Sequence, residues 1–284
     1  MNKIQGIETC RKIQWLKKLA VGSLFAGSLA ISGPGSASIV LNGGFETASA
    51  NRHFDSSVAN WFMGGAQAFV YIWAPGAADD LSITAPVGTT SLLHLAGPKN
   101  GEPNNLTPTS PGGGNFLAAD GDPTFSSAGP NSINQFIDII PGRNYVLSFY
   151  YAAAQEKFQS GMTQDAWQVS LGGTILIAPD SSTLVTPNPS GPPTAKTTTT
   201  KVLSIASQGF SDWQTETFNF IAPGGNGTSP VSELLSFLAV SPNSGLPPMV
   251  LLDAVSITAV PEPASLALVC VALAGMGMVR RKRG

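Results

Sequence analysis

The residues able to perform acid–base chemistry are few, and their spacing matches no common catalytic pattern. The chain has two histidines. His53 lies in a polar loop, and His94 lies within Leu92-Leu93-His94-Leu95, as expected for a strand histidine with satisfied hydrogen bonds. Neither a Gly-x-Ser-x-Gly elbow nor a His-Glu-x-x-His motif occurs. A pair of carboxylates could still act on a glycan, but no spacing nominates one. The sequence therefore predicts a protein that is not an enzyme, with a glycan hydrolase as the less favoured alternative.

Carboxylates offer a second chemistry, the binding of a cation. Asp120-Gly121-Asp122 has the spacing of part of a calcium-binding loop, but the rest of an EF-hand pattern is missing. An ordinary Asp-Gly turn is the simpler interpretation. Between residues 38 and 259, fifteen Asp and Glu outnumber six Lys and Arg, which gives a net charge near −9. Such a body lacks the electrostatic attraction to phosphate, so we exclude nucleic acid as a partner.

The C-terminal 25 residues combine a rigid motif, an apolar segment and a basic end. Pro261 and Pro263 fix their own φ angles and favour extended backbone around Glu262. Residues 264–279 carry no charge, and as a helix they would be about 24 Å long, less than the ~30 Å hydrocarbon core. Basic side chains at the end of this helix can extend to the membrane–water interface and so compensate for its short length. By the positive-inside rule, they also keep this end cytoplasmic. The basic residues are Arg280, Arg281, Lys282 and Arg283.

This order of segments resembles the PEP-CTERM sorting signal of Gram-negative bacteria. The resemblance rests on Pro261-Glu262-Pro263, on the predicted transmembrane span 264–279 and on the Arg-rich end. It implies an inner-membrane intermediate, cleavage near the motif by an integral-membrane exosortase, and a final location at the cell surface or outside the cell. Such systems usually accompany exopolysaccharide production. A plain membrane anchor is the alternative interpretation of the same tail.

The N-terminal residues 1–37 have the pattern of a signal peptide. A basic region precedes an apolar stretch at 19–31, and Gly35-Ser36-Ala37 supplies the small residues that a signal peptidase recognises. We therefore expect export and removal of this segment after Ala37, with cleavage after Ser38 as the second option.

The body between the two signals must fold without disulfides. Both cysteines, Cys10 and Cys270, lie in the terminal segments, whereas residues 38–259 have none. The body shows no helical period over twelve or more residues, and short period-two segments recur instead, with turns such as Pro141-Gly142 between them. This pattern predicts an all-β fold, an antiparallel β-sandwich. The predicted strands cover residues 68–73, 91–95, 116–119, 133–139, 144–151, 167–171, 213–221, 234–240 and 249–257.

Two long insertions interrupt the strand series. Residues 97–114 are rich in Pro, Asn and Gly, and residues 186–200 are rich in Pro and Thr. We expect the second insertion to be extended and solvated. Neither insertion separates two domains, because the strands on both sides fit one sheet system.

Three further motifs, in order, resemble the galactose-binding-like jelly-roll domains. They are Leu41-Asn42-Gly43-Gly44-Phe45-Glu46, Gly142-Arg143-Asn144-Tyr145-Val146-Leu147-Ser148-Phe149 and Leu252-Asp253-Ala254-Val255-Ser256-Ile257. The body is similar to a plant cell-wall family of unknown function and to several carbohydrate-binding modules. The resemblance implies a jelly roll with a binding role, and a structural calcium ion between the opening and closing segments. Carried over, this implies Glu46 and Asp253 as calcium ligands. The alternative is that Asp253 caps a turn and Glu46 lies in solvent.

Aromatic side chains could stack on the apolar C–H faces of sugars. The candidates are Trp61, Phe62, Tyr71, Trp73, Trp167 and Trp213. Alternation favours a core position for Trp167 and Trp213. Trp73 precedes Ala74-Pro75-Gly76 at a predicted strand end, so we expect Trp73 to be the best exposed ligand-binding candidate, with packing as the alternative.

Together these patterns predict a signal peptide at 1–37, a jelly-roll domain at 38–259 and a sorting signal at 260–284. The leading hypothesis is an exported, surface-sorted and non-catalytic protein that associates with extracellular or cell-wall polysaccharide. Its processing partners would be a signal peptidase and an exosortase. The alternative is a structural matrix or adhesion protein that binds protein partners or itself.

Overall fold

The described residues form an almost purely β structure. The computed structural model describes residues 37–55, 57–64, 69–87, 91–122, 131–172, 196–222, 226–241 and 247–261. Within these residues no helix is long and apolar enough to cross a membrane. The predicted span 264–279 lies outside them, as do Glu262, Pro263, the basic end and residues 1–36 of the predicted signal peptide.

Twelve strands and one 3₁₀ turn, Pro98–Asn100, make up the regular structure of this part. The strands are β1 Arg52–His53, β2 Phe62–Gly64, β3 Val70–Trp73, β4 Phe116–Asp120, β5 Ser132–Ile139, β6 Asn144–Gln155, β7 Thr163–Leu171, β8 Lys196–Thr199, β9 Leu203–Ile205, β10 Gln214–Ile221, β11 Val231–Val240 and β12 Pro248–Ala259.

Two antiparallel sheets form the predicted sandwich. Sheet A has the strand order β1-β3-β4-β12-β6-β10, and sheet B has the order β2-β5-β11-β7-β8, with β9 also paired to β7. Consecutive long strands alternate between the sheets: β4, β6, β10 and β12 belong to sheet A, whereas β5, β7 and β11 belong to sheet B. This alternation is the connectivity of a jelly roll, so the predicted fold class is confirmed.

The main core lies between the two sheets and is centred on aromatic rings. Phe237 contacts Phe149 of the opposite sheet edge to face, with ring centroids 5.1 Å apart and an interplanar angle of 86°. Trp167 contacts the same Phe237 ring at 5.9 Å. Its indole Nε1 donates a hydrogen bond of 2.9 Å to the backbone oxygen of Leu251. Because β7 carries Trp167 and β12 carries Leu251, this bond ties sheet B to sheet A.

Sheet A is apolar on both faces and therefore needs a second core. In β12, Leu252 belongs to the core between the sheets, whereas its neighbour Leu251 belongs to a cluster on the outer face. The described part of the connection 74–115, from β3 to β4, covers this outer face and contributes Leu95 and Leu106 to the cluster. We call this connection the cover segment.

Trp73 lies beneath the cover segment and is not exposed, contrary to the prediction. This side chain is fully buried in the outer cluster. Its ring stacks against Tyr71 at 6.1 Å and contacts His94 at 5.2 Å. Alternation along β3 places Trp73 on the outer face of sheet A, as predicted, but that face is not open to solvent. Trp73 therefore presents no face to a ligand, and its predicted sugar-binding role is wrong.

Most predicted strands are confirmed, and the exceptions have local causes. Residues 91–95 form no strand, and Leu95 alone makes an isolated bridge to Glu156, because this stretch belongs to the cover segment. Within the insertion predicted to be solvated, Lys196–Thr199 form β8, and Thr200 is buried, with its Oγ1 accepting a 3.0 Å hydrogen bond from Trp167 N. Residues 186–195 lie outside the described residues. The missed strands β1, β2 and β9 have only two or three residues, too few to show a period.

Truncation of Trp73 tests its structural role. We expect Trp73→Ala to lower the free energy of unfolding by about 3–5 kcal/mol, because it empties a large volume of the outer cluster. The matched control is Phe158→Ala, whose ring is 79% exposed, with an expected change within about 0.5 kcal/mol. Urea denaturation followed by tryptophan fluorescence measures both. Equal effects of the two substitutions would contradict a fully packed Trp73.

Candidate functional site

A β-bulge in β12 positions the first candidate site residue. The pairing of β12 with β6 shifts register between Asp253 and Ser256, and Ala254 between them has a positive φ of 50°. A bulge redirects the side chains beside it. Asp253 is held on the covered face of sheet A and is fully buried.

Three glycines make the space in which Asp253 and Glu46 approach one another. A Cβ atom built on Gly112 would collide with Asp253 Oδ2, and one built on Gly114 would collide with Glu46 Oε1. A Cβ on Gly44 would lie 3.6 Å from Asp253 Oδ1 and 3.8 Å from Glu46 Oε1. The carboxylate groups of Glu46 and Asp253 therefore both lie next to Gly44. We call Gly44, Gly112 and Gly114 the glycine cradle.

The two carboxylates have different hydrogen-bond environments. Glu46 remains exposed, although its Oε1 accepts a 2.8 Å hydrogen bond from Asn115 N. Ser110 Oγ donates to Asp253 Oδ2, and Ala254 N donates to Asp253 Oδ1 at 2.6 Å. Asp253 is therefore tied to the cover segment through Ser110 and does not cap a solvent-exposed turn.

Burial controls the protonation of Asp253. Burial raises the pKa of Asp253 to about 7. The hydrogen bonds from Ser110 and Ala254 oppose this change, and the negative charge of Glu46 adds to it. Asp253 therefore exchanges its proton near neutral pH, where a cation could replace that proton.

The donor set at the glycine cradle fits a hard cation. Glu46, Asp253 and the hydroxyl of Ser110 are oxygen ligands of the kind that Ca²⁺ prefers, and Ca²⁺ takes 6–8 of them. Within the described part of the chain, no three His, Cys, Asp or Glu side chains converge as a metal site. Backbone oxygens and water would thus have to complete the shell. The structure brings the two predicted ligands together, whereas calcium itself stays a prediction.

The second candidate site is an aromatic pair on the outer face of sheet B. Phe62 of β2 lies opposite Asn134 of β5, and its ring stacks on Phe136 with centroids 5.6 Å apart and planes at 25°. Phe136 is 58% exposed, although most large apolar side chains of the sandwich are buried. We call Phe62 and Phe136 the aromatic platform.

A hollow with a mixed polar and apolar lining adjoins the aromatic platform. Its volume is about 420 Å³, and Asp55, Asn60, Trp61 and Phe62 contribute to its lining. Asp55 forms an ion pair with Arg52. Although partial burial raises the pKa of Asp55, hydrogen bonds from Ser57 and the charge of Arg52 outweigh it and leave the pKa lowered. The ionised carboxylate of Asp55 and the amide of Asn60 thus lie next to the apolar surface of the aromatic platform. This combination is typical of ligand sites.

The six aromatic side chains predicted as candidates for sugar stacking differ in their exposure. Trp61, Tyr71, Trp73 and Trp167 are buried, and Trp213 is half-buried against Phe116. Phe62 alone among the six lies in an exposed aromatic pair. Sequence reasoning missed its partner Phe136. The available signal was that Phe136 is out of phase with Ile133, Ile137 and Ile139, the inward-facing apolar residues of β5.

Neither histidine has the surroundings of a catalytic base. His53 lies in β1, where its Nε2 accepts a 3.1 Å hydrogen bond from Phe69 N. Burial lowers the pKa of His53, so the ring stays neutral at pH 7. His94 packs against Trp73 within the cover segment, outside any strand, and its buried Nδ1 has no partner among the described residues. The expectation of a satisfied strand histidine is therefore wrong for His94.

Comparison with protein families identifies the tail. Residues 259–283 match the PEP-CTERM protein-sorting motif. The class of protein is thus a secreted, membrane-transiting protein with a jelly-roll body, and its sorting signal is the PEP-CTERM motif predicted from Pro261, Glu262 and Pro263. No curated protein matches the chain.

Several solved structures match most of the chain, at low identity and low TM-score. TmCBM61 in complex with β-1,4-galactotriose is 12% identical over 79% of this chain and 100% of its own, with a TM-score of 0.36. A CBM4 structure is 16% identical over 78% and 99%, with a TM-score of 0.34. A cyclase from Fischerella sp. TAU is 18% identical over 80% and 98%, with a TM-score of 0.41. The fold assignment rests on the strand pairing of this chain and not on these likenesses.

The buried Asp253 predicts a specific pH dependence of stability. Its pKa is about 7 in the folded protein against 3.8 in an unperturbed chain. The folded state therefore binds this proton more tightly. In calcium-free solution the free energy of unfolding should fall as pH rises from about 4 to about 7. We expect Asp253→Asn to flatten this slope in part, because Asp120 also titrates near pH 7. Denaturant titrations at several pH values measure the effect, and an unchanged slope in the variant would contradict it.

Proposed function

We propose that this protein is a non-catalytic, surface-sorted polysaccharide-binding protein. The observation that carries the proposal is the aromatic platform. Phe62 and Phe136 form a rigid apolar surface, and such a surface matches the C–H face of a sugar ring. Folded proteins normally bury such rings, so an exposed stacked pair beside a hollow that contains a carboxylate and an amide supports a binding role.

The charges of the body narrow the class of polysaccharide. Residues 38–259 carry a net charge near −9, and Asp55 and Asp138 flank the platform. An anionic polymer would be repelled by this field. Carboxylate and amide oxygens instead accept hydrogen bonds from sugar hydroxyls. The proposed ligand is therefore a neutral polysaccharide of the extracellular matrix or cell wall.

The surroundings of the perturbed carboxyl groups support a non-catalytic role. Asp120, Asp165 and Asp253 have raised pKa values, mainly because of burial. Such values suit general acids, but these three side chains are at most 2% exposed. A glycan cannot reach them. The raised pKa values of these three groups are thus consistent with structural roles. Burial also raises the pKa values of Glu156 and Glu233, which are only partly buried.

Calcium at the glycine cradle is the proposed cofactor. Glu46 and Asp253 would hold the ion, with Ser110 as a neutral ligand. The ion would link the opening segment, the cover segment and β12, and would stabilise the charged form of Asp253. Its proposed role is structural, because the aromatic platform lies on sheet B and the cradle lies on the outer face of sheet A.

The proposed route to the surface uses both ends of the chain. A signal peptidase would remove residues 1–37, and an exosortase in the inner membrane would cleave near Pro261-Glu262-Pro263. Among these residues, Pro261 is exposed two residues after the end of β12. An exposed, extended segment is the form of substrate that a processing enzyme can bind as a strand.

Substitution of the aromatic platform tests the binding function. We expect Phe136→Ala and Phe62→Ala each to weaken polysaccharide binding about tenfold or more, because each removes half of the stacking surface. The control Phe158→Ala removes a ring elsewhere that is even more exposed, at 79% against 58% for Phe136, and should bind as the wild type does. Affinity electrophoresis of the purified full chain in neutral polysaccharides, including the exopolysaccharide of the producing cells, measures binding.

Two outcomes would contradict this function. Absence of binding by the wild type to the whole panel, together with concentration-dependent self-association in light scattering, would favour the matrix or adhesion alternative. Release of reducing sugar from a bound polysaccharide would reveal a hydrolase.

Substitution of Glu262 tests the sorting route. We expect Glu262→Ala to leave a precursor in the membrane fraction, because the motif loses its single charged residue. Pulse labelling and immunoblotting of membrane, surface and medium fractions measure processing. A Glu233→Ala variant, which changes a carboxylate within the body, serves as control. Normal release of the Glu262→Ala protein would overturn the route.

A further inference from the structure

Strand β10 forms a long edge of sheet A. It is the last strand in the order of that sheet, and among the described strands it pairs with β6 alone. It has eight residues, whereas β1, β2, β8 and β9, the other strands at the ends of the sheets, have two to four. Proteins usually protect sheet edges with very short strands, Lys, Pro or bulges. β10 contains neither Lys nor Pro, and its pairing runs without a bulge from Gln214 to Ile221.

The neighbouring hydrogen bonds show which backbone groups of β10 face away from β6. Ala222 N, directly after β10, donates to Arg143 O at 2.8 Å. The next residue, Asn144 of β6, instead accepts from Val260 N on the β12 side. In an antiparallel ladder, alternate residues bond to the same neighbouring strand. The even-numbered residues of β10 therefore bond to β6, and the odd-numbered residues point their N–H and C=O groups outwards. The outward residues are Thr215, Thr217, Asn219 and Ile221.

One of these outward groups has a substitute partner. Thr217 N donates a 3.2 Å hydrogen bond to Glu216 Oε1, which agrees with an N–H that faces away from β6. Within the described part of the chain, no other hydrogen bond to an outward backbone group of β10 is found. The Glu216 carboxylate, the only charged group of β10, thus takes the position that a carbonyl oxygen of an added strand would occupy. Glu216 therefore guards an edge that otherwise lacks protection.

The inner face of β10 holds this edge in place. Phe218 and Phe220 pack against the main core. Phe220 stacks on Tyr145 with ring centroids 5.6 Å apart, and Phe218 contacts Phe149 at 6.0 Å. The side chains of the outward residues are exposed on the other face. An added strand would thus meet a preformed template, which lowers the entropic cost of pairing.

The outward groups of β10 match a second copy of the same strand. Antiparallel pairing of two identical strands has two-fold symmetry, the commonest symmetry of protein dimers. With the axis at Phe218, Thr215 lies opposite Ile221 of the second copy. Thr217 then lies opposite Asn219 of the second copy. In this register the outward N–H and C=O groups of all these residues are paired in both strands.

We propose that β10 is a self-association surface, through which two copies of this chain join their A sheets edge to edge, with Glu216 weakening the contact. In the symmetric register Glu216 lies opposite Phe220 of the second copy, so no like charges meet within the ladder. One added strand buries less than the ~1,200 Å² of a stable interface. The two bodies, each with a net charge near −9, also repel one another. The association is therefore weak and reversible, with a Kd on the order of 0.1 mM.

This surface is separate from the aromatic platform, which belongs to β2 and β5 of sheet B. Pairing through β10 leaves the platform of each copy free. If the proposed polysaccharide binding holds, a dimer presents two platforms to one polymer and binds it with avidity. The self-association itself does not depend on that binding.

Substitution of Thr217 tests the edge directly. Thr217→Pro removes an outward N–H and no hydrogen bond to β6, so the sandwich should remain folded. We expect the Kd of self-association to rise about tenfold or more. The control Thr217→Val keeps the N–H and the β-branched shape, and it should associate as the wild type does. Sedimentation equilibrium of the purified full chain over a range of concentrations measures association. Unchanged association of Thr217→Pro, with circular dichroism showing it folded, overturns the proposal.

Substitution of the guarding carboxylate should have the opposite effect. Glu216→Thr frees Thr217 N for a second copy, so we expect association to strengthen about fivefold or more. The control Asp138→Asn removes an exposed carboxylate of β5 and changes the net charge by the same amount. Equal gains in the two variants would contradict the guarding role. Wild type and Glu216→Thr that both stay monomeric at every concentration would overturn the self-association surface.

The platform variants separate this surface from polysaccharide binding. Phe136→Ala should self-associate as the wild type does. Thr217→Pro should keep the affinity of a single platform for polysaccharide. Loss of self-association in Phe136→Ala would place the contact on sheet B and contradict a role for β10.

Discussion

The burial of both faces of sheet A is the constraint on which the rest of this structure depends. A sheet of a sandwich usually has one face in the core and one face in water. Here the outer face carries Tyr71, Trp73 and Leu251, which cannot remain in contact with water without a large loss of hydrophobic stabilisation. The cover segment removes this surface from water. Trp73 thereby becomes a core residue. The outer face of sheet A stays exposed along β10, whereas the aromatic platform lies on sheet B.

The same constraint explains where the buried charges lie. The cover segment is rich in Pro and Gly, and its backbone polar groups need hydrogen-bond partners. Its borders therefore cannot be purely apolar. At one border Ser110 bonds to Asp253 beside the glycine cradle. At the end of β4, Asp120 lies between the outer cluster and the junction of the sheets. Burial at these borders raises the pKa of both Asp120 and Asp253 to about 7.

Sequence periodicity predicted the parts of the fold that follow local rules. In strands such as β6 and β12, inward-facing and outward-facing side chains alternate over many residues. The sequence pattern alone therefore predicted these strands. The cover segment has no period, because its few apolar residues contact a distant sheet and not one another. The exposure of Trp73 was therefore predicted wrongly. The juxtaposition of Glu46 and Asp253 was accessible through the resemblance of their motifs.

Strand β12 connects the folded sandwich to the proposed sorting signal. This strand is central in sheet A, where it pairs with both β4 and β6. Its end is held by the hydrogen bond of 2.9 Å from Val260 N to Asn144 O, immediately before Pro261. Proline cannot donate to a sheet ladder, so pairing must stop at this residue. The folded body thus ends where the sorting motif begins. A processing enzyme that acted at Pro261, which is exposed, would not need to unfold β12 to reach it.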